Sequence, residues 1–239
     1  MLDRIRLSRF LATCALAALG ACAARAPGPG SAQQPADRAA DLGPGTPYEV
    51  TVSDVAIEVY RDGPLAELGH NHVIGSTGLA GRIAVAEPLA RSSFVLELPV
   101  SALTVDEPAR LAAAGTEFPD RLSAEDKEAT RSNMLSAALL DAGRFSHVRL
   151  ESIALEVGEQ DASSVIARTR VTVAGRSSEI RVPLTLGFDG PLLKASGEVA
   201  LTHAQLGLTP YSALMGALRV GDALRVSWRI EARPVAGVR

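Results

Sequence analysis

His70, Asn71 and His72 carry the clearest chemical potential in this chain, because residues two apart on an extended segment point to the same side and so place two imidazoles on one face. That spacing suits two ligands of one zinc or copper ion, with a third donor from elsewhere. His203 is the candidate third ligand, since it continues the face of Val199 and Leu201. His147 is set aside, as its neighbours Arg149 and Glu151 mark a solvent side. Against the metal stands a plainer arrangement, in which His70 and Asn71 satisfy backbone groups in the turn after Gly69 and His72 stands at a cavity mouth. The sequence has no Gly-x-Ser-x-Gly elbow, no phosphate loop and no helix-borne His-Glu motif. The one concrete catalytic scenario is hydrolysis by a metal held at His70, His72 and His203, and the expectation is a binding protein, not an enzyme.

The other reactive residue is Cys22. Arg4, Arg6 and Arg9 give a positive start, and Phe10 to Ala21 is an apolar run too short for the roughly twenty residues that a membrane-spanning helix needs. Residues 1–21 read as a signal peptide, and Leu19-Gly20-Ala21-Cys22 resembles the lipobox of bacterial lipoproteins. The resemblance implies that Cys22 becomes the acylated first residue of a mature chain, held at a membrane by more than one acyl chain, since one alone binds marginally. The alternative is an ordinary export signal that happens to contain a cysteine. Ala23 is not the aspartate that resembles an inner-membrane retention signal, which favours the outer membrane, with the domain in the periplasm.

Composition agrees with export of a domain stabilised by its core. Cys14 and Cys22 both lie at or before the expected cleavage point, so no disulfide is available to the mature chain. Removing residues 1–21 takes three arginines and Asp3, leaving 21 basic and 26 acidic groups. Nothing in that balance points to nucleic acid. Residues 22–46 are Ala, Pro, Gly, Gln and a few charges, with Leu42 the only large apolar residue, and read as a tether or, with a second cleavage signal, a pro-segment. Residues 47–234 supply one domain's worth of chain and residues 235–239 a tail.

Within that domain the dominant period is two. Val55, Ile57 and Val59 share one side of a strand; so do Phe94, Leu96, Leu98 and Val100; then Val148 and Leu150; Val165, Ala167, Thr169, Val171 and Val173; Ile180, Val182, Leu184, Leu186 and Phe188; and Leu224, Val226, Trp228 and Ile230. One-sided strands joined by turns such as Asp189-Gly190-Pro191 argue for an all-β antiparallel sheet curled on its apolar face. About eight such strands close into a barrel that is filled by side chains or holds a small ligand, and a sandwich is the other architecture that the alternation permits. Ser123-Ala124-Glu125-Asp126 has the spacing of a capping box, and Met134, Leu135, Ala138 and Leu139 recur at helical offsets. One helix over Ala124 to Leu140 is expected, its apolar stripe on the barrel as plain packing or as a lid. Asp106 to Leu122 reads as a long loop.

Several segments, in order, resemble the YceI-like family. They are Tyr48-Glu49-Val50, Asn133-Met134-Leu135 leading through Leu140-Asp141-Ala142-Gly143-Arg144-Phe145-Ser146-His147-Val148, Val173-Ala174-Gly175-Arg176 into Ile180-Arg181-Val182-Pro183-Leu184, and Leu206-Gly207-Leu208 followed by Gly216 to Asp222. The resemblance spans about Tyr48 to Ala232. It implies a lipocalin-like antiparallel barrel whose elongated apolar cavity binds a polyisoprenoid or similar lipid chain, with no catalysis and no required cofactor. Three features depart from the family: Val52-Ser53-Asp54 stands where a His-Ser pair is common, the first hairpin carries Leu68-Gly69-His70-Asn71-His72-Val73, and a long insert precedes the helix.

The expected cavity lining is Val55 and Ile57, Phe94, Leu96 and Leu98, Met134, Val148 and Leu150, Val171, Leu184 and Leu186, and Trp228, with Ala167, Ala195 and Gly197 leaving room among them. Transfer of an isoprenoid or acyl tail into such a space is worth about 0.8 kcal/mol per CH₂ group, so a short tail suffices for micromolar binding after the cost of association. Three functions follow: a lipid-binding barrel anchored in the bacterial envelope, a metal or haem protein, or a ligand-free barrel that offers a surface to a partner.

Overall fold

The computed structural model describes residues 42–236. Cys22, the signal peptide and most of the tether lie outside the described residues. Thirteen regular elements follow in order: β1 (Thr46–Asp62), β2 (His72–Ser76), β3 (Ala80–Val85), β4 (Ser93–Pro99), β5 (Thr104–Val105), α1 (Pro108–Ala114), α2 (Ala124–Leu135), β6 (His147–Val157), β7 (Ser164–Val173), β8 (Arg176–Asp189), β9 (Leu192–Thr202), β10 (Ser212–Ala213) and β11 (Leu218–Pro234).

The strands close into an antiparallel barrel of eight staves. β2 and β3 pair with the later and earlier halves of β1 and so share one stave. From there the hydrogen-bonded order runs β3, β4, β6, β7, β8, β9, β11 and returns to β1. The closing seam joins two 17-residue strands, with Tyr48 opposite Pro234 and Asp62 opposite Arg219. Irregularities in register between Val50 and Val52, Val59 and Arg61, and Ser152 and Ala154 bend the long strands, as bulges do, and let the sheet curl. The sandwich alternative is therefore excluded. Thr46 already pairs with Val85, and the Gly43 amide donates to Ser93 Oγ, so the fold takes in the last few residues of the segment read as tether.

Side-chain alternation explains why each strand sits as it does. In β7 every residue from Val165 to Val173 that points inward is buried, while Arg168 and Arg170 point out towards Glu179. Arg149 on β6 likewise reaches Glu97 and Glu151 on the outer face. Such cross-strand charge pairs add little stability singly but keep the outer face soluble and the register fixed.

The segment 106–122 is not a loop. Pro108 at the first turn, the helix-forming run Arg110 to Ala114 and Gly115 in a left-handed backbone (φ 98°) make α1, so there are two helices where one was expected. Leu111 and Phe118 pack with Val73, Tyr60 and Ala56 into a small second core outside the barrel wall. Arg110 crosses β2 over Gly75, where a side chain would collide with it, and pairs with Asp54 at 2.7 Å while donating to the Val55 carbonyl at 3.1 Å.

α2 also differs from expectation. Its capping box is present, with the Asp126 amide donating to Ser123 Oγ at 3.1 Å and the Ser123 amide to Asp126 at 3.3 Å. The helix ends at Leu135, five residues early, because Ser136 turns extended (ψ 166°) and its hydroxyl donates to the Asn133 carbonyl at 2.7 Å, a side-chain bond that competes with helix continuation. None of its residues is fully buried. Polar contacts tie it down instead: Arg131 donates to the carbonyls of Leu103 and Ser101, and Lys127 to that of Asp106.

Burial works to raise the pKa of Asp54, but hydrogen bonds and charge from Arg229 and Arg110 outweigh it and hold the carboxyl below its usual 3.8. A depressed folded pKa contributes stability above the unfolded value and loses it as pH falls through the folded one. Asp54→Asn is expected to lower the urea midpoint at about pH 6, and the gap from the unaltered protein should narrow as the pH drops below 3.8. A gap independent of pH over that window would refute the role of the Arg110–Asp54–Arg229 cluster in pinning α1 to the barrel.

Candidate functional site

The barrel encloses an apolar cavity of about 330 Å³ along its axis. All twelve side chains expected to line it do so: Val55 and Ile57 from β1, Phe94, Leu96 and Leu98 from β4, Met134 from α2, Val148 and Leu150 from β6, Val171 from β7, Leu184 and Leu186 from β8, and Trp228 from β11. Their strands present these residues inward because the period of two matches the pleat. The inward row of β8, Ile180, Val182, Leu184 and Leu186, is only half-buried, although it faces the barrel axis and not the surrounding solvent. Its accessibility is to the cavity.

Small residues act unevenly. Ala167 is wholly buried in the wall. Gly197 does not simply leave room, since Trp228 lies directly across from it on β11 and a Cβ there would stand 2.9 Å from the indole and 2.5 Å from the Pro183 carbonyl. The glycine thus lets the ring of the one tryptophan of the chain approach the wall closely.

The two ends of the barrel differ. One end gathers α2, the segment 203–217 between β9 and β11, the loop between β1 and β2, and the β7–β8 hairpin. Thr130, Met134, Leu206, Leu208 and Tyr211 line the cavity there. Two of its loops are tied together by the Leu65 amide donating to the Ala217 carbonyl at 2.8 Å. They expose Leu65, Leu68, Tyr211, Leu214 and Met215, five of the seven large apolar side chains exposed among the described residues. Leu214 and Met215 adopt left-handed backbone (φ 50° and 54°), a conformation costly for side chains of this kind.

The histidines do not assemble into a triad. His70 precedes β2 in an exposed coil, His72 and His203 line the cavity, and among the described residues no group of three or more His, Cys, Asp or Glu side chains is arranged to hold a metal ion. The physical reason is that β2 begins only at His72, so the alternation that would align His70 with it does not apply. Asn71 satisfies backbone groups, accepting from the Arg61 amide and donating to the Glu117 carbonyl, each at 3.0 Å. His147 is exposed beside Ser146.

His72 has a partner that the sequence did not reveal. Its Nδ1 lies 2.7 Å from Asp106 Oδ2, while Asp106 Oδ1 accepts from the Val73 amide at 2.8 Å. Asp106 is 3% exposed and takes a positive φ of 52° at the end of β5, its own amide donating to the Val73 carbonyl. No local pattern connects it to a histidine 34 residues away. His203 is 5% exposed, with Nδ1 3.0 Å from the Asp222 carbonyl oxygen.

Comparison with solved structures identifies the fold. Burkholderia cenocepacia BcnA superposes with a TM-score of 0.54 at 10% identity, covering 75% of this chain and 95% of that one. A polyisoprenoid binding domain from Saccharophagus degradans, implicated in plant cell wall breakdown, gives 0.53 at 11% identity over 79% and 98%. The chain shares the barrel fold of these two proteins. A Campylobacter jejuni YceI protein superposes with a TM-score of 0.48 at 10% identity, over 68% of this chain and 84% of that one. No protein-family model and no curated protein sequence matches the chain.

Gly197→Ala is expected to drive the indole of Trp228 from the wall into the cavity, with an overpacking cost of about 1–3 kcal/mol. Intrinsic fluorescence reports both effects, because Trp228 is the only tryptophan. Unchanged emission and stability would show that the wall tolerates the added methyl.

Proposed function

We propose that this protein is a YceI-like lipid-binding barrel of the bacterial envelope, carrying or sequestering an isoprenoid or acyl chain. The observation that supports this reading best is the half-accessible inward row of β8, which faces a cavity of about 330 Å³ lined almost wholly by aliphatic side chains. A pocket of that size and lining falls in the range that small ligands use, and a lipid tail gains about 0.8 kcal/mol for each CH₂ group moved into it. The polyisoprenoid-binding relative of the same fold supports the choice of an isoprenoid. The exposed apolar loops at the helix-bearing end offer a path between a lipid layer and the cavity.

Mass spectrometry of an organic extract of the protein exported from bacteria tests the reading. One isoprenoid or acyl species near one per chain is expected. Val171→Trp should abolish it while leaving the protein folded. If the wall has no such space to give, the same change should overpack the barrel and destabilise it by about 1–3 kcal/mol.

The anchor belongs to the same proposal. On this reading residues 1–21 are a lipoprotein signal, Cys22 is the acylated residue that holds the barrel at a membrane, and Ala23 favours the outer one. Among the described residues no helix is long and apolar enough to cross a membrane. Cys22→Ser is therefore expected to release the protein into the soluble fraction after cell disruption, and retention of that variant on membranes would overturn the anchor.

A further inference from the structure

An aliphatic cavity has no need of imidazoles, yet His72 and His203 both line it. Each has its Nδ1 committed to an acceptor. The partner of His203 Nδ1 is a backbone carbonyl, which only accepts, so Nδ1 carries the proton and Nε2 of the neutral ring is a bare acceptor. The partner of His72 Nδ1 is the Asp106 carboxylate, which also accepts from the Val73 amide. An ionised carboxylate likewise only accepts, so His72 presents the same face: Nδ1–H towards Asp106 and a bare Nε2 away from it.

Among the described residues neither Nε2 has a hydrogen-bond partner. Among the described residues no side-chain nitrogen or oxygen is both fully enclosed and unpaired, so each Nε2 keeps accessible surface. For His203, at 5% exposure, that surface is the cavity's. Strand register places the two rings at one end. His72 stands opposite Val59, Val59 opposite Leu224, and Leu224 opposite Leu201, while His203 is the next inward position beyond Leu201. The neighbours in that row are aliphatic, and a bare acceptor among them is disfavoured unless a ligand donates to it.

We infer that this end of the barrel is a head-group subsite in which a hydroxyl-bearing isoprenoid donates to the histidine Nε2 atoms, the single O–H of a polyprenol to one of His72 and His203 and the two O–H groups of a hydroquinone to both. The class comprises polyprenols and hydroquinones, whose O–H groups donate; a quinone or an ether with the same tail offers only acceptors and is disfavoured. Asp106 is a positioning residue, holding the His72 ring in the tautomer that leaves Nε2 bare. The inference rests on the lipid-binding reading and adds to it a preference that an apolar cavity alone does not produce.

Competition at equal concentration tests it, with bound lipid counted by mass spectrometry after the protein is separated from free lipid. One pair of probes is geranylgeraniol and its methyl ether; the other is a geranylgeranyl hydroquinone, kept reduced, and its quinone. The protein is expected to retain the alcohol over the ether and the hydroquinone over the quinone by about tenfold, the worth of a buried hydrogen bond. Preference within only one pair would assign the source as polyprenol or quinol. His203→Phe and His72→Phe should each bring the ratios towards one without reducing total lipid bound, and Asp106→Asn should lower them in the same way if the His72 tautomer is what it controls. Ratios near one in the unaltered protein, or ratios unchanged in both histidine variants, would overturn the subsite while leaving the lipid carrier standing. A protein that takes up none of the four probes overturns both.

Discussion

Closure of β1 against β11 is the constraint from which the rest of this structure follows. Two 17-residue strands, separated by nearly the whole domain in sequence, meet along a seam that leaves no sheet edge between them. Once the sheet is closed, every inward side chain faces the same axis, and the backbone groups of the wall are paired with one another. The interior is then whatever the inward positions make it. In this chain they are almost all aliphatic, and several are small or pressed against the wall, so the enclosed volume exceeds what the side chains take up.

The barrel is not symmetric from end to end, and the asymmetry locates function. One end receives the two helices, the long segment between β9 and β11 and the tied apolar loops. It also holds the two cavity-facing histidines and the buried Asp106. Polar groups in such a place are costly unless each has a partner. Here both Nδ1 atoms are paired and both rings line the cavity, an arrangement that packing alone would not require. The insert that forms α1 builds its own small core on the outside of β1 and β2, and Arg110 couples that core to Asp54 on the barrel. The same segment delivers Asp106 to His72, so one stretch of chain builds both the outer core and a contact at the cavity.

Much of this was legible in the residues. The alternation in β4, β6, β7, β8 and β11 gave the inward face except at the far end of β8, where Phe188 is exposed, because the side-chain period of a strand is fixed by backbone geometry and each strand has one apolar side. The capping box at Ser123 was legible for a similar reason: its two hydrogen bonds involve residues three apart. Where the reading erred, the deciding partner was distant or the local signals competed. Pro108 and Gly115 bracket α1, but weak periodicity hid it. Ser136 ends α2 by a bond to its own backbone neighbourhood, against a helical pattern that runs on to Leu139. His70 fell out of alignment with His72 because the strand starts two residues later than alternation implied.

By itself, then, the sequence determined the all-β antiparallel class, the apolar character of its interior, most of the residues that face it, and the expectation of a lipidated Cys22. These depend on periodicity and short motifs, which act over a few residues. Only the tertiary structure decided that the staves close into a barrel and not a sandwich, that Gly197 receives the Trp228 ring, that His70 stays out of the cavity that His72 and His203 line, and that His72 meets Asp106. Each of those is a contact between segments far apart in the chain, and its geometry is fixed by strand register and closure, quantities that no local pattern contains.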